Sequence, residues 1–358
     1  MLLKKYLVAV PGIILAFVLY TLSQGLNNII GIELLGYSKS PISTAMIAIL
    51  IGILLGNIFK MREGFLIGID FTQKYILKLG IIFLGIQLKP FEFLKFGTVA
   101  IPLIIVCIIS VLVVVKLLIK KLKISTRMAY LISIGSTVCG TTAIMATAPI
   151  IKANKGEVAY AIANMTVFGI ISMLIYPYFA NVYFDADPMF VGLFLGTAIH
   201  ETSQVAAAGL IYDQQFNSPE TLNVATVTKL IRNTFLVIMI PLFAFLYNRN
   251  TTKTKNYSIL DIFPYFVLGF IGMIIFRNIG DQFFLNEEAL KIWQTSISYI
   301  KDSAKIFLSM AMAAIGLSTN LKDLKSMGHK PFIVGFVAMI TVGLISIIAM
   351  QVFSVIFL

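Results

Sequence analysis

Charge is what this sequence has least of. Only 12% of its 358 residues are charged, about half the ~25% that covers an ordinary soluble domain. A surface so poor in charge cannot face water over a chain this long, which excludes a soluble globular protein. Cysteine is scarce as well. Cys107 and Cys139 both sit in apolar segments, which excludes a disulfide framework and a cysteine-based metal site. Histidine occurs twice, at His200 and His329. His200-Glu201 begins like a zinc-protease helix, but no second histidine follows one turn later, so zinc chemistry is excluded. A Ser/His/Asp set and a phosphate-binding glycine loop are absent too. The chain is therefore read as no enzyme, with no cofactor and no metal.

Apolar sequence is what there is most of. Hydrophobic residues make up 59% of the chain and mean hydropathy is +0.94. Runs such as Ile101 to Val115 and Phe332 to Leu358 are continuously apolar. Barrel strands would alternate, so these runs predict membrane helices that satisfy their backbone groups internally. The expected fold is an all-α polytopic membrane protein, one transporter domain over 1–358. Eleven transmembrane helices are expected, over 6–24, 42–60, 71–90, 97–119, 127–151, 157–180, 188–212, 222–247, 259–280, 298–320 and 331–356. Lys4 and Lys5 before the first run imitate a secretory signal. No small-residue cleavage site follows, so a retained first helix is expected.

The net charge of +12 sits mostly in short loops, where the positive-inside rule explains it better than nucleic acid does. With the N-terminus cytoplasmic and the C-terminus outside, the inner segments carry more Lys and Arg than the outer ones. The loop between spans six and seven runs against this count, holding only Asp185 and Asp187. A weak self-match pairs Gly85 through Gly97 with Gly316 through Gly328. A second aligns Gly135-Ser136-Thr137-Val138 with Gly196-Thr197-Ala198-Ile199. The two cannot describe one repeat unit.

Polar groups inside the apolar spans are costly and mark function by default. Span five carries Gly135-Ser136-Thr137-Val138-Cys139-Gly140-Thr141-Thr142 near its midpoint, which predicts a broken helix whose free N–H groups favour an anion. Span seven carries His200-Glu201-Thr202-Ser203-Gln204 near its centre. Span eight carries Lys229 and Arg232, at i,i+3 on one face. Ser309 in span ten is a weaker candidate. An ion pair between Glu201 and the span-eight cations that serves only packing is the bland alternative. The shared depth of Cys139-Gly140, His200-Glu201 and Arg232 predicts one mid-bilayer site. Its charge is +1 with Glu201 ionised and +2 with it protonated, which suits a small anion.

At these residues the chain resembles a known family. Cys139-Gly140-Thr141-Thr142-Ala143-Ile144, His200-Glu201-Thr202-Ser203-Gln204-Val205, Val227-Thr228-Lys229-Leu230-Ile231-Arg232 and Ala314-Ile315-Gly316-Leu317-Ser318-Thr319 look like the YeiH-type sulfate exporter family of bacterial inner-membrane proteins. The hydroxyls of Thr141 and Ser203 depart from its pattern. The resemblance implies a distant relation to the cation–proton antiporter and bile-acid transporter superfamily. It also implies inverted five-helix repeats, 42–180 and 188–356, with the extra helix 6–24 in front. Span five would then pair with span ten as crossed broken helices.

The function expected is secondary transport of a sulfate-, sulfite- or sulfonate-like anion. The substrate would be bound by Ser136, Thr137, Cys139, Gly140, Thr141, Thr142, His200, Glu201, Gln204, Lys229, Arg232 and Ser309, with Glu201 and His200 coupling protons. The alternative is a cation–proton exchanger that uses Glu201 as its ion site. Expected partners are the lipid bilayer and a small inorganic or organic anion, with room for a homodimer and none for nucleic acid.

Overall fold

The computed structural model describes residues 2–34, 43–122, 124–248, 265–284, 286–320 and 329–357. Among these the regular elements are helices, with no strand. In chain order they are α1 (Leu2–Asn28), α2 (Thr44–Ile58), α3 (Glu63–Phe71), α4 (Leu77–Leu84), α5 (Pro90–Leu122), α6 (Thr126–Thr137), α7 (Gly140–Thr147) and α8 (Lys155–Tyr183). After these come α9 (Pro188–Ala198), α10 (Thr202–Phe216), α11 (Pro219–Thr234), α12 (Leu236–Asn248), α13 (Phe266–Phe283), α14 (Glu287–Ser318) and α15 (His329–Phe357). Among the described residues, six helical stretches are long and apolar enough to cross a membrane: Val8–Asn28, Phe93–Leu118, Gly156–Tyr183, Pro219–Phe243, Phe266–Phe283 and Phe332–Phe353. Several loop cations of the charge count (Lys39, Lys123, Arg249, Lys253, Lys255, Lys322, Lys325) and Gly328 of the first self-match lie outside the described residues.

The chain forms two compact units. The first comprises Met1–Phe93, Ala206–Asn223 and Tyr265–Leu321. Its helices approach closely at glycine. A Cβ at Gly52 of α2 or at Gly316 of α14 would lie 2.9 Å from the other's Cα, a contact that only missing side chains allow. Asn57 Nδ2 donates to the Thr319 carbonyl at 2.7 Å, and Gln73 Nε2 to the Ala314 carbonyl at 2.7 Å. Helix α14 runs unbroken through Ser309. The resemblance placed a helix break there, and the structure places none.

The second unit comprises Leu94–Val205, Val224–Pro264 and Lys322–Leu358. Helices α8 and α15 lie side by side in the same direction. Phe168 packs on Phe332 and Phe336, with ring centroids 4.8 and 5.8 Å away, and Tyr183 accepts a hydrogen bond from Gln351 at 2.7 Å. Between α5 and α8 the chain makes a return hairpin. Ser125, at the start of α6, donates from its hydroxyl to Glu157 Oε1 at 2.9 Å. Glu157 also closes a capping box with Asn154 at the start of α8, which satisfies both end groups reciprocally. The segment thus ends where it began. α6 climbs to a break at Val138–Cys139, and α7 descends against it, Ile144 filling the space beside Gly135.

This corrects the reading of 127–151 as a through-span, and it reverses the direction expected for α8. Lys152 and Lys155 share the end of the unit occupied by Ser125 and Arg127. Asp187 lies at the opposite end, lining one cavity with Lys95. In a background without Cys107 and Cys139, cysteines placed at Arg127 and Lys155 are expected to react with an impermeant thiol reagent from the same side of the membrane. Reaction from opposite sides would restore the through-span.

Candidate functional site

Two helices of the second unit are interrupted where the expected site residues lie. The first break follows from sequence. Gly140 has φ +35°, in the left-handed region that disfavours any residue with a Cβ. Val138 and Cys139 before it leave the helical region as well. The second break, at Ile199–Glu201 between α9 and α10, contains no glycine or proline, and Ile199 is extended there (φ −91°, ψ 136°).

Each break exposes carbonyl oxygens at the end of one half-helix and N–H groups at the start of the next. Lys229 and Arg232 take the carbonyls of both. Lys229 Nζ donates to Val138 O (2.9 Å), Ile199 O (3.0 Å) and His200 O (2.5 Å). That is every hydrogen the ammonium has. Arg232 Nε donates to Thr137 O (2.8 Å), Nη1 to Thr197 O (2.5 Å) and Ile199 O (3.4 Å), and Nη2 to Ser136 O. Lys229 is 0% exposed and Arg232 1%. Both cations therefore lie at the negative ends of two half-helices, each equivalent to about half a charge. Together those ends offset about one of the two positive charges. Neither cation forms an ion pair with Glu201 among the described residues.

The start of α7 is held differently. One oxygen of the Glu201 carboxylate, Oε2, accepts the Thr141 hydroxyl at 2.8 Å and the Thr141 backbone N–H at 3.3 Å. A carboxylate thus occupies a helix N-terminus, the place where anions are stabilised. Beside it, Cys139 Sγ lies 3.2 Å from Thr202 Oγ1, and Asn233 Nδ2 donates to that hydroxyl at 2.9 Å. The two half-helix starts, Gly140–Thr142 and Thr202–Gln204, are thereby joined through Cys139 and Thr202. Thr141, Glu201, Thr202 and Ser203 are half-buried and Thr142 is exposed, whereas Ser136, Thr137, His200 and Gln204 are buried. The accessible side of the constellation is its N–H side, and the carbonyl side is sealed.

A family profile described as conserved hypothetical protein 698 matches residues 11–335. A UPF0324 membrane protein of Fusobacterium nucleatum is 35% identical over 305 residues, covering 84% of this chain and 88% of the relative. Another, from Streptococcus agalactiae, is 34% identical over 338 residues, covering 94% and 96%. The chain belongs to the UPF0324 family of membrane proteins. A UPF0324 member of Clostridium tetani is 31% identical, with 96% of each chain covered. No solved structure matches this UPF0324 chain.

Of the residues expected at the site, this UPF0324 protein brings together Ser136, Thr137, Cys139, Gly140, Thr141, Thr142, His200, Glu201, Lys229 and Arg232. Ser136 and Thr137 contribute carbonyls. Gln204, the third residue of α10, donates to Thr166 O at 3.3 Å and fills the space over Gly169. Ser309 belongs to the other unit, and its hydroxyl has no partner among the described residues. Both nitrogens of His200 are also without one. Thr202 and Asn233 were missed as site residues, although each lies beside a residue that was singled out.

Gly140 is the tightest point of the seat. A Cβ there would lie 2.7 Å from Glu201 Oε2. Gly140→Ala is expected to cost about 1–2 kcal/mol of backbone strain and to push the carboxylate off Thr141. A melting curve of the variant checks both effects. Unchanged values would show that neither the positive φ nor the close approach matters.

Proposed function

We propose that this UPF0324 protein is a secondary transporter that carries a small anion together with a proton, its substrate being sulfate, sulfite or a sulfonate. The observation that supports the reading is the Glu201 carboxylate on the Thr141 N–H and hydroxyl. The two half-helix starts supply about +1 in total, which ionised Glu201 balances. Protonation of Glu201 removes that balance and frees the N–H groups for an external anion. Proton and anion then arrive together. The sealed carbonyl side leaves Lys229 and Arg232 as positioning residues that hold both breaks open, and the anion is bound by backbone N–H groups and by Thr141, Thr142, Thr202 and Ser203.

The motif likeness to YeiH-type sulfate exporters favours an anion over a cation. Two half-helices, α6 and α9, that meet at their carbonyl ends agree with an inverted relation between these two segments, in place of the pairing of span five with span ten. The cluster of cations around Ser125 favours a cytoplasmic position for that end of the second unit. The test is flux into liposomes. An inward proton gradient is expected to drive accumulation of labelled sulfate or sulfite, indifferent to sodium. Flux that follows sodium and ignores anion identity would replace this reading by cation–proton exchange at Glu201.

A further inference from the structure

A cavity lies away from the helix breaks, at the Lys95 end of the second unit. It has a volume of about 500 Å³ and is walled by Val99 and Leu103 of α5, Phe190 and Leu193 of α9 and Phe353 of α15, with Lys95 at its rim. Lys95 is exposed and forms no ion pair among the described residues. Asp187 also lines the cavity; its Oδ1 accepts the Met189 and Phe190 N–H groups, each at 2.9 Å, as the N-cap of α9, where the positive end of the helix dipole offsets part of its charge. The cavity is therefore apolar along its walls and carries at its edge one ammonium that has no ion pair among the described residues. Anionic amphiphiles match that pattern. In a membrane protein the abundant ligand of this chemistry is a phospholipid, its phosphate on the lysine and one acyl chain along the walls.

We propose that this groove is a binding site for one anionic phospholipid. The inference rests on the chain's place in a membrane and not on what it transports. Native mass spectrometry of the full chain in detergent, with phosphatidylglycerol or phosphatidylcholine of identical acyl chains, tests it. The anionic lipid is expected to bind about fivefold more tightly, the factor for one lysine near an anionic headgroup. Lys95→Gln is expected to erase that preference while leaving the melting temperature of the lipid-free protein unchanged, and Lys95→Arg to retain it. Val99→Trp, which fills the groove, is expected to lower binding of both lipids. Equal binding of the two lipids to the natural protein, or an unaltered preference in Lys95→Gln, would reduce the groove to ordinary annular contact and overturn the proposal.

Discussion

Arg232→Ala is expected to leave too little folded protein to assay. The guanidinium is 1% exposed and donates to four carbonyls drawn from the ends of α6 and α9. Each buried carbonyl left without a donor costs about 1–3 kcal/mol. Several at once approach the whole stability of a domain, ~5–15 kcal/mol. Arg232→Lys keeps the charge but cannot span four acceptors from one head group, so a lowered yield and melting temperature are expected for it as well. Lys229→Met removes three bonds and is expected to behave like Arg232→Ala. The measurement is the recovered monodisperse fraction in detergent together with its thermal unfolding. A stable Arg232→Ala protein that merely fails to bind an anion would return the arginine to the role its charge first suggested, that of a substrate ligand.

The second large effect belongs to Glu201→Gln. The amide imitates the protonated acid and can still accept the Thr141 hydroxyl, so folding is expected to survive. In the natural protein, transport should rise as pH falls, because protonation vacates the N–H groups. The variant is expected to lose that slope and to let anions equilibrate without following a proton gradient. At a gradient of one pH unit, a one-to-one symporter can build about a tenfold anion excess, and the variant none. A variant that still concentrates its substrate against the same gradient would remove Glu201 from coupling.

Much of this site was legible in the sequence because lipid makes polar residues conspicuous. Gly140 announced the first break, since a glycine amid hydroxyls at mid-span has few other uses. Glu201 and Arg232 stood out through the cost of burying charge. The second break was hidden. His200-Glu201 carries no residue that disrupts a helix, and the Ile199 and His200 carbonyls are drawn outward by a lysine some thirty positions along the chain. The role of the cations was hidden for the same reason, because counting charge does not reveal that their hydrogens are already taken by backbone. Direction of travel was lost too. Hydropathy measures how long an apolar stretch is, and 127–151 is long enough to cross. The contacts of Ser125 with Glu157 and of Gly135 with Ile144 show that it comes back. A trace of this was present in the acidic loop at Asp185 and Asp187, which fitted the wrong side of the charge count. Ser309 drew attention as a hydroxyl in span ten, which the resemblance paired with span five, yet α14 is continuous there and packs Gly316 against α2.

The central claim is that an anion and the Glu201 carboxylate compete for the same half-helix start, so that binding one means protonating the other. Calorimetric titration of the purified protein with sulfate or sulfite, repeated in buffers of different ionisation enthalpy, counts protons taken up per anion bound. The account predicts net uptake approaching one proton per anion at neutral pH, and none in Glu201→Gln. Anion binding with no proton uptake by the natural protein would contradict it.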